Sequence, residues 1–205
     1  MLFAHPSEVI FTAGYQSPVG PIELAMSERG LAGIAFPGHR RIAPRETRTG
    51  DADIRWIEEP ERFAEVIRQL DAYFAGERRQ FDLPLDFCPG TPKTNTPGNS
   101  FYRHCWEALL RIPYGETCSY AQLAAAVGSP RAARAVGQAN HYNPVAIVVP
   151  CHRVIASDGT LGGYGGGLAA KEFLLQLEGA RVRPAPPRQG SLFAEPAIRC
   201  SLSVA

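Results

Sequence analysis

The sequence is poor in everything that would send a chain to a membrane, a secretory route or a structural metal. No apolar run approaches the ~20 residues needed to cross a bilayer. The N-terminal stretch MLFAHPSEVI has no basic segment followed by an apolar one, so no secretory signal is read there. Cytoplasmic residence without membrane attachment is the expectation. Cysteine is sparse and odd in number: Cys88, Cys105, Cys118, Cys151 and Cys200 stand far apart, with no CxxC pair. That spacing excludes a disulfide framework and the usual zinc patterns, and the adjacent His104-Cys105 lacks a second ligand pair. Neither a metal nor an organic cofactor is expected. Excess charge is missing as well, since 21 Lys+Arg stand against 20 Asp+Glu. Charge alone therefore selects no partner.

Its distribution is less even. Residues 1–98 hold 11 basic and 14 acidic side chains, whereas residues 99–183 hold 8 and 5. Any surface for a polyanion belongs to the second half. With 205 residues, 45% of them hydrophobic and 20% charged, the chain has the profile of a globular protein of one large or two small domains.

The first half is expected to be an α/β scaffold over residues 1–88. Val9–Thr12 and Ile22–Met26 are strand candidates around the turn-forming Ser17-Pro18-Val19-Gly20, and Leu31–Phe36 is a third. Residues 37–55 read as loop. Phe63, Val66, Ile67, Leu70 and Phe74 recur at helical spacing between Pro60 and Phe74, and the alternating Phe81, Leu83, Leu85 and Phe87 suggest another strand. The Pro/Gly/Thr/Asn-rich stretch 89–100 is a linker or exposed loop. Residues 101–183 read as mainly helical. Ser100 is expected to cap a helix through Cys105, Trp106, Leu109 and Leu110, stopped by Pro113-Tyr114-Gly115. Ser119 caps a second helix from Tyr120 to Val127, ended by Gly128, and Ser129-Pro130 opens a third from Arg131 to about Asn140. Helix, short turn and helix make a helix-turn-helix. The last helix, Leu168 to Glu178, is expected to bury Phe173, Leu174 and Leu177 and to end at Gly179. Residues 184–205 read as a poorly ordered tail.

The chemistry concentrates in Val149-Pro150-Cys151-His152-Arg153-Val154. A thiol attacks only as thiolate, and a free pKa of ~8.5 leaves little of it at neutral pH. A neighbouring base must correct that deficit, and His152 is the nearest. Pro150 fixes its own backbone and favours an extended Val149, so a strand delivering Cys151 at a rigid turn is expected. In the third helix, Arg131-Ala132-Ala133-Arg134-Ala135-Val136-Gly137 interleaves basic with small residues. Small side chains allow close approach to a surface, while Arg134 projects beyond them, which suits a minor-groove fit with an inserted arginine. Ser129, Arg131 and the helix N-terminus would take phosphates. The glycine-rich stretch 159–167 has no P-loop spacing and no following Lys-Ser/Thr, so it reads as a close-approach loop.

Together, Tyr120, the 132–137 helix, Asn143-Pro144, Pro150-Cys151-His152-Arg153-Val154, Tyr164 with its glycines and Leu177-Glu178-Gly179 resemble the O6-alkylguanine-DNA alkyltransferases, the methylated-DNA–protein-cysteine methyltransferase family. The likeness spans about residues 100–179 and extends more weakly over 1–88, where it implies a ribonuclease-H-like domain. It implies irreversible, single-turnover transfer of an alkyl group from O6 of a flipped guanine, with O4 of thymine as a further substrate, to Cys151. A Cys151–water–His152–Glu178 relay makes the thiolate, Tyr120 donates a proton or a hydrogen bond to the departing base, and Asn143 braces the turn. Arg134 is the inserted arginine, with Arg131, Ala132, Ala133, Gly137 and Ser129 along the DNA. Pro150, Val154, Tyr164 and Gly165 line the base pocket. The implied partner is double-stranded DNA carrying O6-alkylguanine, bound by a monomer able to cluster on DNA.

Three departures stand out. Gly165 occupies a place where many members have serine, which suggests a roomier pocket. Lys93 to Ser100 looks like an insertion, and the N-terminus lacks the Cys/His set that holds zinc in some animal members. Other readings also use these residues: a non-transferring alkyltransferase-like protein, which lacks the cysteine; a helix-turn-helix regulator with Cys151 as sensor; and a cysteine hydrolase, for which no second-shell Asn/Asp motif or oxyanion loop is evident.

Overall fold

Val9–Ser17 (β1) and Gly20–Ser27 (β2) pair antiparallel in full register from Ile10↔Ser27 to Ser17↔Gly20, closing a hairpin at the expected Ser-Pro-Val-Gly turn. The Ser17 hydroxyl donates to Gly20 O at 2.6 Å and fixes that turn. The computed structural model describes residues 9–37, 54–87 and 99–180. The linker and insertion readings for 89–100, apart from its last two residues, and the reading of the 184–205 tail lie outside them.

Gly30–Ala35 (β3) adds antiparallel to β2, and Arg55–Glu58 (β4) adds parallel to β1, giving the order β3-β2-β1-β4. β4 is too short to have declared itself in the sequence. Pro60–Phe63 forms a 3-10 turn leading into helix α1 (Ala64–Phe74), which lies on the sheet through Val66, Leu70 and Tyr73. Tyr15 donates from β1 to Asp71 Oδ1 at 2.6 Å across that contact.

The strand expected over Phe81–Phe87 does not form. Only an isolated bridge joins Leu85 to Leu31, because Pro84 has no N–H to continue a ladder. Its carbonyl accepts from Leu31 N at 2.8 Å, and Asp86 N returns to Leu31 O at 2.9 Å. The approach is close enough that a Cβ on Gly30 would lie 2.4 Å from Pro84 O, so glycine is needed there. Farther along β3, Ile34 N donates to Pro144 O at 2.9 Å and Ala146 N donates to Ile34 O at 3.3 Å. The edge of the first half's sheet is thus bonded to the segment leading into the Pro-Cys-His-Arg motif.

The second half is helical, as the sequence predicts, with adjusted boundaries. Helix α2 (Asn99–Leu109) starts one residue before Ser100, which lies in its first turn, and Leu110 falls beyond its end and is exposed. Cys118–Ser119 (β5) precedes α3 (Tyr120–Ala126). Ser119 caps α3 through a complete capping box, its hydroxyl accepting from Gln122 N at 3.1 Å while Gln122 Oε1 accepts from Ser119 N at 2.7 Å. Helix α4 (Ala133–His141) begins two residues later than expected. Pro130 and Arg131 sit instead in a turn closed by Ala132 N on Ser129 O at 2.8 Å. Helix α5 (Gly167–Leu177) ends at Glu178, with Gly179 left-handed at φ 70°. It buries Leu174 and Leu175, whereas Phe173 is exposed and Leu177 half-buried. The helical stripe runs one position away from the expected one.

The two halves share one apolar core, in which Phe11, Leu24 and Leu70 meet Trp106, Val149 and Leu174. Among the described residues no helix is long and apolar enough to cross a membrane.

Candidate active site

The segment before Cys151 is a tight turn rather than the expected strand. Val149 N donates to Val145 O at 2.9 Å, and Ile147 takes φ 72°, a left-handed conformation rare for a β-branched residue. Cys151–Arg153 forms a 3-10 turn, and Val154–Ile155 (β6) then pairs parallel with β5. Because Cys118 pairs with Val154 and Ser119 with Ile155, the cap of α3 is tied to the strand that follows the cysteine. That brings Tyr120 to the site.

Cys151 is buried, and Asn143 Nδ2 donates to its sulfur at 3.1 Å and to Val149 O at 2.8 Å. Asn143 Oδ1 accepts from Val145 N at 3.1 Å, so one amide holds both ends of the turn and the thiol. Burial raises the Cys151 pKa, and the Asn143 hydrogen bond and the Lys171 charge offset this only in part. The resting group is a thiol. Cys105, buried in α2, is an inert comparison, its thiol pushed up to about 11 by burial alone.

His152 is wholly buried, and its Nε2 lies 2.9 Å from Glu178 Oε1. Burial lowers its pKa, against the upward pull of the Glu178 hydrogen bond. The ring rests neutral, and its Nδ1 has no hydrogen-bond partner. Glu178 sits at the C-terminal end of α5, where the helix dipole disfavours an anion. Burial disfavours it too, yet hydrogen bonds from His152 and Arg153 hold its pKa well below the ordinary carboxylate range. Arg153 donates Nε to Oε2 at 2.8 Å and Nη2 to Oε1 at 2.9 Å, and its Nη1 reaches Ile112 O at 2.6 Å. Gly115 N adds 3.3 Å to Oε2, and a Cβ at Gly115 would meet Glu178 O at 2.8 Å, so this turn too requires glycine.

Tyr120 is half-buried between Gly137 of α4, whose Cβ would lie 3.9 Å from its ring, and Gly162, whose Cβ would lie 3.2 Å from its hydroxyl. Burial and then the Cys151 charge raise its pKa, so it is a hydroxyl donor. Tyr164 presents its ring edge-on to Phe36 at 5.5 Å and to His152 at 6.4 Å, with its own hydroxyl buried and unpartnered. Val154 and Pro150 are buried beside the cysteine turn, and Gly165 lies in the turn entering α5. Arg131 and Arg134 are exposed, Arg134 on the face of α4 opposite the buried Val136 and Ala139.

Three further residues belong to the site that sequence reasoning did not assign to it. Arg153 stood inside the motif without a role. Lys171 is wholly buried and donates to Val154 O at 2.6 Å, to Leu161 O and to Gly163 O at 3.4 Å, pinning the glycine loop to β6. Burial lowers its pKa to about 8, which still leaves an ammonium at neutral pH. The third is Tyr73, from the opposite half of the chain, whose hydroxyl donates to Glu178 Oε1 at 2.7 Å. Among the described residues no cluster of His, Cys, Asp and Glu could hold a metal ion.

Two family models between them cover both halves of the chain. Residues 10–87 match the 6-O-methylguanine DNA methyltransferase ribonuclease-like domain, and residues 100–180 match the DNA-binding domain of the same proteins. The methylated-DNA–protein-cysteine methyltransferase of Methanosarcina acetivorans is 46% identical over 83% of this chain and 99% of its own. That of Mycobacterium leprae is 45% identical over 85% and 95%. The OGT of Mycobacterium tuberculosis, solved in complex with DNA, is 44% identical, with TM-score 0.68 over 82% of this chain and 92% of its own. The chain belongs to the methylated-DNA–protein-cysteine methyltransferase family.

Proposed function

We propose that the chain repairs double-stranded DNA by moving an alkyl group from O6 of guanine irreversibly to Cys151. The observation that carries this is the His152 ring: Nε2 is held on Glu178 Oε1 at 2.9 Å, Nδ1 has no protein hydrogen-bond partner, and the preceding residue is a thiol that is not ionised at rest. Arg134 enters the base stack from the minor groove while Arg131, Ser129 and the small residues Ala132, Ala133 and Gly137 follow the backbone. The flipped guanine lies among Pro150, Val154, Tyr164 and Gly165. The thiol proton passes through a water to His152 Nδ1, and Glu178 stabilises the imidazolium. Sulfur then attacks the alkyl carbon in line, the S–C bond forms as the C–O6 bond breaks, and Tyr120 passes a proton to the departing ring and regains one from the His152 imidazolium through water, so that neither the base nor the tyrosine is left as an anion in a dry pocket. Asn143 aims the sulfur. Nothing in this sequence of steps regenerates the thiol, so each molecule acts once. Action as a cytoplasmic monomer, able to cluster on DNA, is part of the same reading.

Intact mass after incubation with an O6-methylguanine duplex tests it. One methyl gained per chain, on the Cys151 peptide, is the expected result, and Cys151→Ser should bind without gaining mass. Binding with no mass change, or more than one turnover per chain, would refute the reading. Gly165 carries a second expectation: if its lack of a side chain makes the pocket roomier, Gly165→Ser should react more slowly with O6-benzylguanine while keeping its rate on the methyl substrate. Equal benzyl rates for the two proteins would count against it.

A further inference from the structure

The carboxylate at the end of the relay has a donor from the other half of the chain, and the steps above make no use of it. Tyr73 lies in the last turn of α1, wholly buried, with its ring edge-on to Tyr114 at 6.2 Å and tilted against Phe81 at 5.2 Å. Phenylalanine would fill that space. A hydroxyl there is costly unless bonded, and this one donates to Glu178 Oε1 at 2.7 Å, the same oxygen that meets His152 Nε2 and Arg153 Nη2, each at 2.9 Å. Docking of the two halves does not depend on it, since β3 bonds to Pro144 and Ala146 independently.

We propose that Tyr73 is a positioning residue of the relay: by sharing Glu178 Oε1 with the imidazole it draws off part of the carboxylate's charge, so that His152 remains an uncharged base. The proposal rests on the alkyl-transfer reading. A carboxylate bearing undiminished charge raises the proton affinity of a neighbouring imidazole, and each hydrogen bond donated to the carboxylate reduces that pull. The other groups around His152 act on both sides. Arg153 and Lys171 oppose its protonation, Cys151 adjoins it, and Tyr164 meets it with a ring edge. Farther out, Tyr114 lies 5.9 Å from the Arg153 guanidinium and 5.7 Å from that of Arg79. Burial lowers the His152 pKa and Glu178 raises it, so the donors on Oε1 act on the one upward pull the ring receives.

The test is the single-turnover rate of methyl transfer from an O6-methylguanine duplex to the full chain across the acid-to-neutral range, with the His152 ring titrated in parallel by NMR. Transfer needs neutral His152 and so falls on the acid side as the ring protonates. In Tyr73→Phe that acid limb should move up by roughly half to one pH unit, making the variant about three- to tenfold slower on the limb and close to wild type above it. A 3-fluorotyrosine at position 73, a stronger donor of nearly the same shape, should move the limb down. In a Glu178→Gln background neither change should move it. A purely structural tyrosine would lower the rate equally at every pH or only the melting temperature. Either of those results, or an unmoved limb, overturns the proposal. If wild type fails to methylate Cys151, the alkyl-transfer reading falls, and the His152 titration in the same variants still decides the role of Tyr73.

Discussion

Glu178→Gln should lose about 3–5 kcal/mol of stability and slow alkyl transfer by about a hundredfold or more. The carboxylate receives Tyr73, His152 and Arg153 on Oε1 and Arg153 and Gly115 on Oε2. Glutamine keeps the volume but turns one acceptor into a donor facing other donors, and it leaves the Arg153 guanidinium buried without its counter-charge. The Ile112 carbonyl accepts one guanidinium N–H and cannot replace an anion. The rate falls for a related reason: the imidazolium formed when His152 takes the thiol proton would have no carboxylate behind it. Urea unfolding and single-turnover transfer measure the two losses. A variant within about 1 kcal/mol of wild type would contradict the stability account, and a rate within tenfold would contradict the relay.

The same groups set the acid sensitivity of the fold. His152 has a lowered folded pKa, so the unfolded chain binds the extra proton first, and stability declines as pH falls below the unfolded value of about 6.5. Glu178 is also lowered; its contribution is fully present above the unfolded carboxylate value of about 4.3 and is lost as pH falls further. The His152 window opens at the higher pH, and the two act in the same direction. Glu178→Gln removes the lower one.

What could be read from the sequence follows from what is local. The thiol beside its base is contiguous, Ser119 announces its helix by position, and Glu178-Gly179 is a helix end in one dimension as in three. The sheet hairpin was equally plain from Ser17-Pro18-Val19-Gly20. Partners joined only by folding were not legible. Tyr73 stands 105 residues from Glu178 and is, at sequence level, one more apolar-face residue of an amphipathic helix. Lys171 looks like a solvated charge in a helix until its three carbonyl acceptors are brought together by the glycine loop and β6. Apolar alternation over 81–87 misled because Pro84 breaks the ladder and because β3 divides its edge between two short segments. The helical stripe of α5 was misplaced by one position because Phe173, the bulkier side chain, leans outward on Phe74 with ring centroids 6.5 Å apart, while Leu175 faces the core.

Methylation of Cys151 should itself destabilise the protein by about 2–4 kcal/mol, combining overpacking at a buried position with a weakened hydrogen bond. Cys151 is 8% exposed and its sulfur lies 3.1 Å from Asn143 Nδ2, so an added methyl has to displace something, and the amide is in contact. Asn143 does more than touch the sulfur. It ties Val145 to Val149 across a turn in which Ile147 is held at φ 72°, a conformation that persists only where its surroundings over-determine it. The same turn receives the β3 bonds through Pro144 and Ala146, and Asn143 N is bonded to Asn140 O at 3.2 Å in the last turn of α4. Pushing the amide aside therefore loosens the turn, the seam between the halves and the end of α4 together. Urea unfolding of the reacted protein against the unreacted one should show an earlier midpoint, and amide exchange should rise first around residues 140–149. Coincident unfolding curves would mean that the pocket accepts the methyl without moving Asn143, and that the stability of the turn does not depend on the state of the sulfur.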